Sequence, residues 1–163
     1  MYFPGHIALS YLSSRYLNAE LKTALAAGIF PDVFDKFSYY VLGLTPGARV
    51  PAHTVAAMII TSIIAGTIGI RSRRHLYFAG SWALAYGLHL ISDLLNGPVY
   101  FFWPFISTDY TGYESIGTNW ARADIFEVVL TIVVEIALTM WAVRIWIRSR
   151  TGCRERPAKV DVL

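Results

Sequence analysis

Three long apolar stretches limit the folds open to this chain of 163 residues. They run from Thr54 to Ile70, from Leu76 to Leu95 and from Ile125 to Ile147. The first is short, and the other two approach the roughly 20 residues that cross about 30 Å of hydrocarbon. In lipid a chain must satisfy its backbone hydrogen bonds internally, which a helix does within one segment. The sequence therefore predicts an all-α integral membrane helical bundle with three spans.

Composition agrees with a lipid environment and with a single folded unit. Hydrophobic residues make up 55% of the chain and charged residues 15%, and the mean hydropathy is +0.47. A typical soluble domain is more polar than this. We predict one membrane-embedded domain over residues 1–150 and a polar C-terminal tail over residues 151–163. Because Cys153 is the single cysteine, neither an intramolecular disulfide nor thiolate ligation of a metal is expected.

Arginine clusters flank the predicted spans and indicate their orientation. One cluster comprises Arg71, Arg73 and Arg74, and a second follows the last span. Basic loops favour the cytoplasmic side. The chain is therefore predicted to be a multi-pass protein of the cell (inner) membrane, with a cytoplasmic C-terminus. Arginines beside a span usually meet lipid headgroups, so with a net charge of +3 we expect no nucleic-acid partner.

The N-terminal region is more polar than the predicted spans. Apolar residues recur at helical spacing from Gly5 to Phe30, but charged side chains interrupt them. This pattern predicts an amphipathic helical segment on the membrane surface, although a spanning helix is the alternative. Pro31-Asp32 is predicted to break it, and a second segment is predicted from Val33 to Leu44, ending at the turn signal Leu44-Thr45-Pro46-Gly47.

Five residues that can bind metal are scattered over this apolar chain: His6, Asp32, His53, His89 and Asp93. The last two are four residues apart on a predicted helix and therefore share one face. Ionisable groups in a membrane segment usually mark function, although a His to Asp hydrogen bond tying helices together is the alternative. With three spans, this set would lie toward the extracytoplasmic side, whereas His75 would lie at the opposite face.

Apart from His89 and Asp93, each candidate site residue taken singly has an ordinary structural explanation. His53 can sit at the interface or cap a helix beside Thr54, and His6 can be an interfacial histidine. Asp32 can be a turn residue after Pro31. Asp35 can be solvated or paired with Lys36 or Arg49. The functional interpretation therefore depends on the whole set converging.

Two acidic residues in the last predicted span support rival functions. Glu127 and Glu135 are eight residues apart and so lie roughly on one helical face. Buried acids can carry ions or protons, or can join helices by hydrogen bonds. A small ion-handling or transport protein is therefore the alternative to an enzyme. A noncatalytic scaffold with a structural metal is a third class.

Four short motifs together resemble the YdjM-type family of membrane-bound, predicted metal-dependent hydrolases. They are Phe30-Pro31-Asp32-Val-Phe-Asp35-Lys36, Arg49-Val-Pro-Ala-His53-Thr54, Gly87-Leu-His89-Leu-Ile-Ser-Asp93 and Trp103-Pro104-Phe105, within residues 1–105. The resemblance implies that the five His and Asp residues bind metal. This chain departs from the family pattern at two places. It has Ala48 where many members carry histidine, and it spaces Asp32 and Asp35 by three residues where many members carry Asp-x-Asp. The ligand order is also similar to that of zinc-dependent phospholipase C and the S1/P1 nucleases, without a His-x-x-x-Glu for a complete third site.

The resemblance implies hydrolysis of an ester or phosphoester by metal-activated water. One or two divalent ions are expected, zinc first and manganese as the alternative. Asp32, His53, His89 and Asp93 would surround one ion, and Asp93 would bridge to a second held by His6. Asp35 would orient a ligand or act as general base.

The expected substrate is a small molecule or a lipid-linked molecule that enters from the lipid bilayer. Arg49 would clamp an anionic substrate, or would form a salt bridge to Asp32 or Asp35 instead. The aromatic loop from Asn96 to Asp124 is more typical of an interfacial belt than of a substrate cradle.

Overall fold

The computed structural model describes residues 2–70, 73–96, 100–106 and 125–151. Within these ranges the chain is helical and has no strand, which confirms the all-α prediction. A π-helical turn, Phe37–Val41, follows the second helix, and a 3-10 turn, Leu94–Asn96, follows the fourth. The α-helices of the described ranges are α1 (Phe3–Tyr16), α2 (Leu21–Lys36), α3 (Val55–Gly69), α4 (His75–Asp93) and α5 (Ile125–Arg150).

The predicted N-terminal segment is two helices rather than one. The chain turns between α1 and α2, where Asn18 adopts a left-handed backbone conformation with φ of 57°. Asparagine tolerates this conformation better than most residues. Glu20 then caps the N-terminus of α2, because its carboxylate accepts a hydrogen bond from the backbone N–H of Thr23 at 2.6 Å. Helical spacing alone did not indicate this break.

The prediction that Pro31-Asp32 ends a helix is wrong. Pro31 lies inside α2, which continues to Lys36 and passes into the π-helical turn. A proline inside a helix costs about 3 kcal/mol, but most helix stability in proteins comes from packing. Pro31 and Asp35 are both buried in the interior, so continuing the helix keeps that packing. The segment turns at Gly43, whose φ of 62° suits a residue without a side chain.

One helix in the described part of the chain is long and apolar enough to cross a membrane, and it lies within α5 from Val128 to Arg150. Helix α3 is apolar, but its 15 residues reach only about 22 Å. Helix α4 has 19 residues and buries polar side chains, among them Ser81 and Ser92. The structure therefore supports one of the three predicted spans, and the multi-pass topology and its orientation stay predictions.

Small residues let two of the helices approach closely. Helix α2 lies against both α1 and α4, α3 packs on α4, and α5 packs on α1. Between α1 and α2, a methyl group placed on Gly28 would lie 1.9 Å from Ser10 Oγ. The buried core beside this crossing consists mainly of small side chains together with Tyr86. This close approach brings α1, α2 and α4 together around the polar residues described next.

Candidate metal centre

All five sequence-predicted ligands meet in one buried cluster between the helices. Each of them is at most 6% exposed to solvent. Helix α1 contributes His6, α2 contributes Asp32, α4 contributes His89 and Asp93, and His53 lies just before α3. Four of the five, Asp32, His53, His89 and Asp93, each place one ligand atom within 4.8 Å of the others. The chain thus has a buried group that can bind metal.

Asp35 holds His53 with its ring pointing into the cluster. Its Oδ2 atom lies 2.7 Å from His53 Nδ1 and also accepts the backbone N–H of His53 at 3.1 Å. Its Oδ1 atom accepts the backbone N–H of Ala52 at 2.6 Å. Tyr86, which sequence reasoning missed, donates its hydroxyl proton to the Ala52 carbonyl oxygen. These contacts fix the His53 ring so that Nε2 faces the other ligands.

His89 is oriented in the same way from the opposite side. Its Nδ1 lies 2.8 Å from the carbonyl oxygen of Gly28, which accepts hydrogen bonds but cannot donate them. Nδ1 must therefore carry the proton, and in a neutral ring Nε2 is then unprotonated. The Nε2 atoms of His53 and His89 are only 3.1 Å apart. If both rings are neutral, two lone pairs face each other, and a cation between them would relieve the repulsion.

The carboxylates complete a donor set that suits a small cation. Asp93 Oδ2 lies 3.1 Å from His53 Nε2 and 3.7 Å from His89 Nε2. Asp32 Oδ1 lies 3.8 Å from His53 Nε2. A tetrahedral ion with bonds of about 2.0–2.1 Å separates its ligand atoms by about 3.4 Å. The observed separations lie on both sides of this value, so the residues present fit such an ion.

His6 faces the other oxygen atoms of the same two carboxylates. Its Nε2 lies 3.1 Å from Asp93 Oδ1 and 3.8 Å from Asp32 Oδ2. The His6 ring stacks on His89 with ring centroids 3.8 Å apart, and its Nδ1 lies 3.3 Å from Ser92 Oγ. Each carboxylate therefore has one oxygen toward the His53 side and one toward His6. This arrangement suits the predicted bridging role of Asp93.

Lys36 is a member of the site that sequence reasoning missed. Its Nζ lies 2.8 Å from Asp32 Oδ1, and its side chain is 44% exposed. Burial raises the pKa of the Asp32 carboxyl, but the Lys36 ammonium, together with His89 and His53, holds that pKa below its ordinary value. The spacing of four residues from Asp32 could have indicated this pair. The alternative in which Lys36 pairs with Asp35 is wrong, since Asp35 bonds to His53 instead.

Arg49 forms no salt bridge with Asp32 or Asp35. Its Nη1 atom is buried and has no hydrogen-bond partner in the part of the chain that the structure describes. Arg49 lies four residues before His53, in the segment whose Ala52 and His53 backbone N–H groups bond to Asp35, and so it is beside the cluster. A buried guanidinium nitrogen without a partner is costly, because its desolvation is not compensated. It is therefore available to an anionic ligand.

Other predicted features lie away from the cluster or outside the described residues. His75 is exposed at the start of α4, about 21 Å along the helix from His89, as expected. Thr54, rather than His53, caps α3 by accepting the backbone N–H of Ala57 at 3.1 Å. Most of the aromatic loop, the Glu127 side chain and the arginines of the tail fall outside the described residues.

The fold and the site together define a helical protein with a buried His and Asp cluster and one long apolar helix. A family model described as YdjM inner membrane protein matches residues 3–152. The chain therefore belongs to the YdjM family of membrane proteins, which confirms the resemblance and extends it past residue 105. Neither the curated proteins nor the solved structures contain a significant match.

Proposed function

We propose that this protein is a membrane-bound metal-dependent hydrolase that acts on phosphoesters. The observation that carries the proposal is the pair of histidine Nε2 atoms 3.1 Å apart, with both Nδ1 atoms bonded to partners outside the cluster. Histidine ligands of metal ions characteristically have such outer partners. Zinc is the proposed ion, because imidazole and carboxylate donors at these separations suit it, and manganese is the alternative.

The residues of the cluster have separate proposed roles. Asp32, His53, His89 and Asp93 hold one ion, and His6 with Asp93 holds a second. When bound, a divalent cation supplies Lewis acidity and lowers the pKa of water from 15.7 to about 7. Both oxygens of Asp35 already accept hydrogen bonds from Ala52 and His53, which supports an orienting role rather than that of general base.

The balance of charge supports an anionic substrate. Three carboxylates, Asp32, Asp35 and Asp93, lie with two cationic side chains, Lys36 and Arg49, at the site. One divalent ion would bring this group to a net charge of +1, because histidines that bind a metal do so in their neutral form. A second ion would make the charge more positive. A phosphoester would be attracted to such a site more strongly than a neutral ester.

The surroundings of Lys36 support a substrate that is itself a lipid or is linked to one. The neighbouring side chains on α2 and the π-helical turn are large, apolar and exposed, among them Val33, Phe34, Phe37 and Val41. Exposed apolar patches of this kind mark interaction sites, including membrane contacts. A phosphoester embedded in the bilayer would reach Lys36 without leaving the lipid.

Replacing Arg49 with glutamine tests the anionic substrate. We expect at least a tenfold loss in kcat/KM for an aryl phosphoester such as bis(4-nitrophenyl) phosphate, with unchanged metal content. Bidentate arginine bonds to phosphate are strong, and glutamine cannot replace them. Arg74→Gln is the control, because Arg74 precedes α4 at the end far from His89. Equal activity of the Arg49→Gln variant and wild type would contradict this role.

A noncatalytic protein with a structural metal is the second candidate. Four protein ligands, all nearly inaccessible to solvent, are typical of closed structural zinc sites, whereas catalytic sites keep one position open. Whether the site is closed or open depends on Asp32, because Asp32 shares its Oδ1 with Lys36 and lies 3.8 Å from His53 Nε2. If Asp32 binds the ion, the site is closed; if it does not, one position stays open. Metal that stabilises the fold without any hydrolysis of phosphoesters or esters would favour the structural role.

A further inference from the structure

Glu135 is an acidic residue buried within the apolar helix α5. It is 8% exposed and lies on the face of α5 that contacts α1. Its Oε1 accepts the backbone N–H of Gly5 at 2.9 Å, and its Oε2 accepts that of Tyr2 at 3.2 Å. Tyr2 precedes α1 and supplies no side-chain cap of its own. Glu135 thus caps α1 from a position 130 residues away along the chain.

This cap is favourable on general grounds and explains why an acidic residue is buried here. The first N–H groups of a helix lack the usual partner four residues back, and the N-terminus carries a partial positive charge. The Gly5 N–H is shared between Glu135 and the Tyr2 carbonyl oxygen, which lies 3.1 Å away. A carboxylate placed there satisfies donors and interacts favourably with the helix dipole. Because both oxygens accept backbone N–H groups, this geometry does not support Glu135 as an ion carrier.

The capped turn carries a predicted metal ligand. His6 directly follows Gly5, whose N–H donates to Glu135, and His6 Nε2 reaches Asp93 Oδ1 at 3.1 Å. The other ring nitrogen lies 3.3 Å from Ser92 Oγ. The first turn of α1 is therefore held from α5 on one side and contacts α4 on the other. Releasing the contact with α5 would let the turn shift or fray, and His6 would move with it.

We infer that Glu135 is a positioning residue that holds His6 in the metal centre and so couples the apolar helix α5 to metal binding. The inference rests on the proposed function, since it requires that the cluster binds metal. It assigns to Glu135 neither contact with metal nor contact with substrate. Its effect passes through the backbone of Tyr2 and Gly5 to the His6 ring.

A double-mutant cycle on the full-length protein in detergent tests this inference. Zinc affinity is measured by chelator competition for wild type, Glu135→Ala, His6→Ala and the double variant. We expect Glu135→Ala to weaken zinc binding about tenfold, the lower end of the effect of removing a direct partner of a metal ligand, because Glu135 acts on His6 through the backbone. In the His6→Ala background the same change should cost less than about threefold, because the residue it positions is gone.

Two further variants separate positioning from general damage to the fold. Thr131→Ala is the matched control, because Thr131 is also buried on α5 and donates to the Leu95 carbonyl oxygen. It should leave zinc affinity unchanged. Glu135→Gln keeps one carboxamide oxygen as an acceptor and should give an intermediate affinity. If the Glu135→Ala variant does not fold, Glu135→Gln takes its place in the double-mutant cycle.

The outcomes distinguish this inference from the proposed function. Wild type that binds no zinc would overturn both. Wild type that binds zinc, together with unchanged affinity in both Glu135 variants, would overturn the positioning role alone. An equal loss from Glu135→Ala with and without His6, or a similar loss in Thr131→Ala, would also overturn it.

Discussion

Replacing Asp35 with alanine is expected to weaken metal binding by about 10- to 100-fold and to destabilise the protein. The change removes the partner of His53 Nδ1, and outer partners of this kind typically have effects of that size. It also leaves the buried backbone N–H groups of Ala52 and His53 without an acceptor, at about 1–3 kcal/mol each. Zinc affinity and thermal unfolding in detergent measure the two effects.

The isosteric variant Asp35→Asn separates affinity from folding. Asparagine keeps one oxygen for a backbone N–H, but its amide group cannot accept the remaining N–H donors. We expect a folded protein with weakened zinc binding. Glu20→Gln is the control for a carboxylate-to-amide change, because Glu20 caps α2 and touches none of the predicted ligands. Wild-type zinc affinity in Asp35→Asn would show that the carboxylate does not orient His53 for metal.

Replacing Gly28 with alanine is expected to disrupt the site through packing alone. The new methyl group would lie 1.9 Å from Ser10 Oγ and 3.2 Å from Ser10 Cβ. Either Ser10 rotates and loses its 2.8 Å hydrogen bond to the His6 carbonyl oxygen, or α1 and α2 move apart. Gly28 also supplies the carbonyl oxygen that orients His89, and α1 carries His6. Overpacking of this kind costs about 1–3 kcal/mol, and we expect at least a tenfold loss of zinc affinity.

Two variants test whether this effect comes from the crossing of α1 and α2. Gly87→Ala is the matched control, since a methyl group there meets only Met58 Sδ at 3.7 Å, an ordinary contact. It should bind zinc as wild type does. Adding Ser10→Ala to Gly28→Ala removes the closest clash and should restore part of the affinity. Equal losses in Gly28→Ala and Gly87→Ala would contradict the packing explanation.

The residues of the candidate metal centre were predictable because their chemistry is rare in an apolar chain. His89 and Asp93 share a helix face through their spacing of four residues, which follows from helix geometry alone. The remaining ligands were associated with them through short motifs, and the structure brings all five into one cluster. The distances from each histidine ring nitrogen to the other atoms of the cluster could not be predicted from the sequence, because they depend on how the helices cross.

The features that sequence reasoning missed depend on contacts between distant residues. Glu135 and Gly5 are 130 residues apart, and no periodic pattern links them. Pro31 was expected to end a helix because its local cost is known, whereas the packing that offsets this cost is visible only in three dimensions. Lys36 was considered as a partner of Asp35, yet helix geometry turns it toward Asp32. Local rules thus predicted which residues form the site and that the chain is helical, but they did not predict which side chains contact each other.

The same reasoning explains why the predicted spans were only partly supported. Apolar composition identified α5, whose surface within the molecule is largely exposed, as expected for a helix in lipid. In α4, polar residues that interrupt the apolar run face the cluster, among them His89 and Asp93. Part of its apolar surface packs in the protein core, including Ala85 and Leu90. Composition alone does not separate a buried core helix from a spanning one.

Metal content measured by mass spectrometry on protein purified in detergent without chelator tests the central claim most directly. Wild type is compared with a His89→Ala, Asp93→Ala double variant whose helix content by circular dichroism matches wild type. We expect near-stoichiometric zinc or manganese in wild type and its loss in the double variant. Wild type that contains no metal, and takes up none when zinc is added, would contradict a metal centre at this cluster.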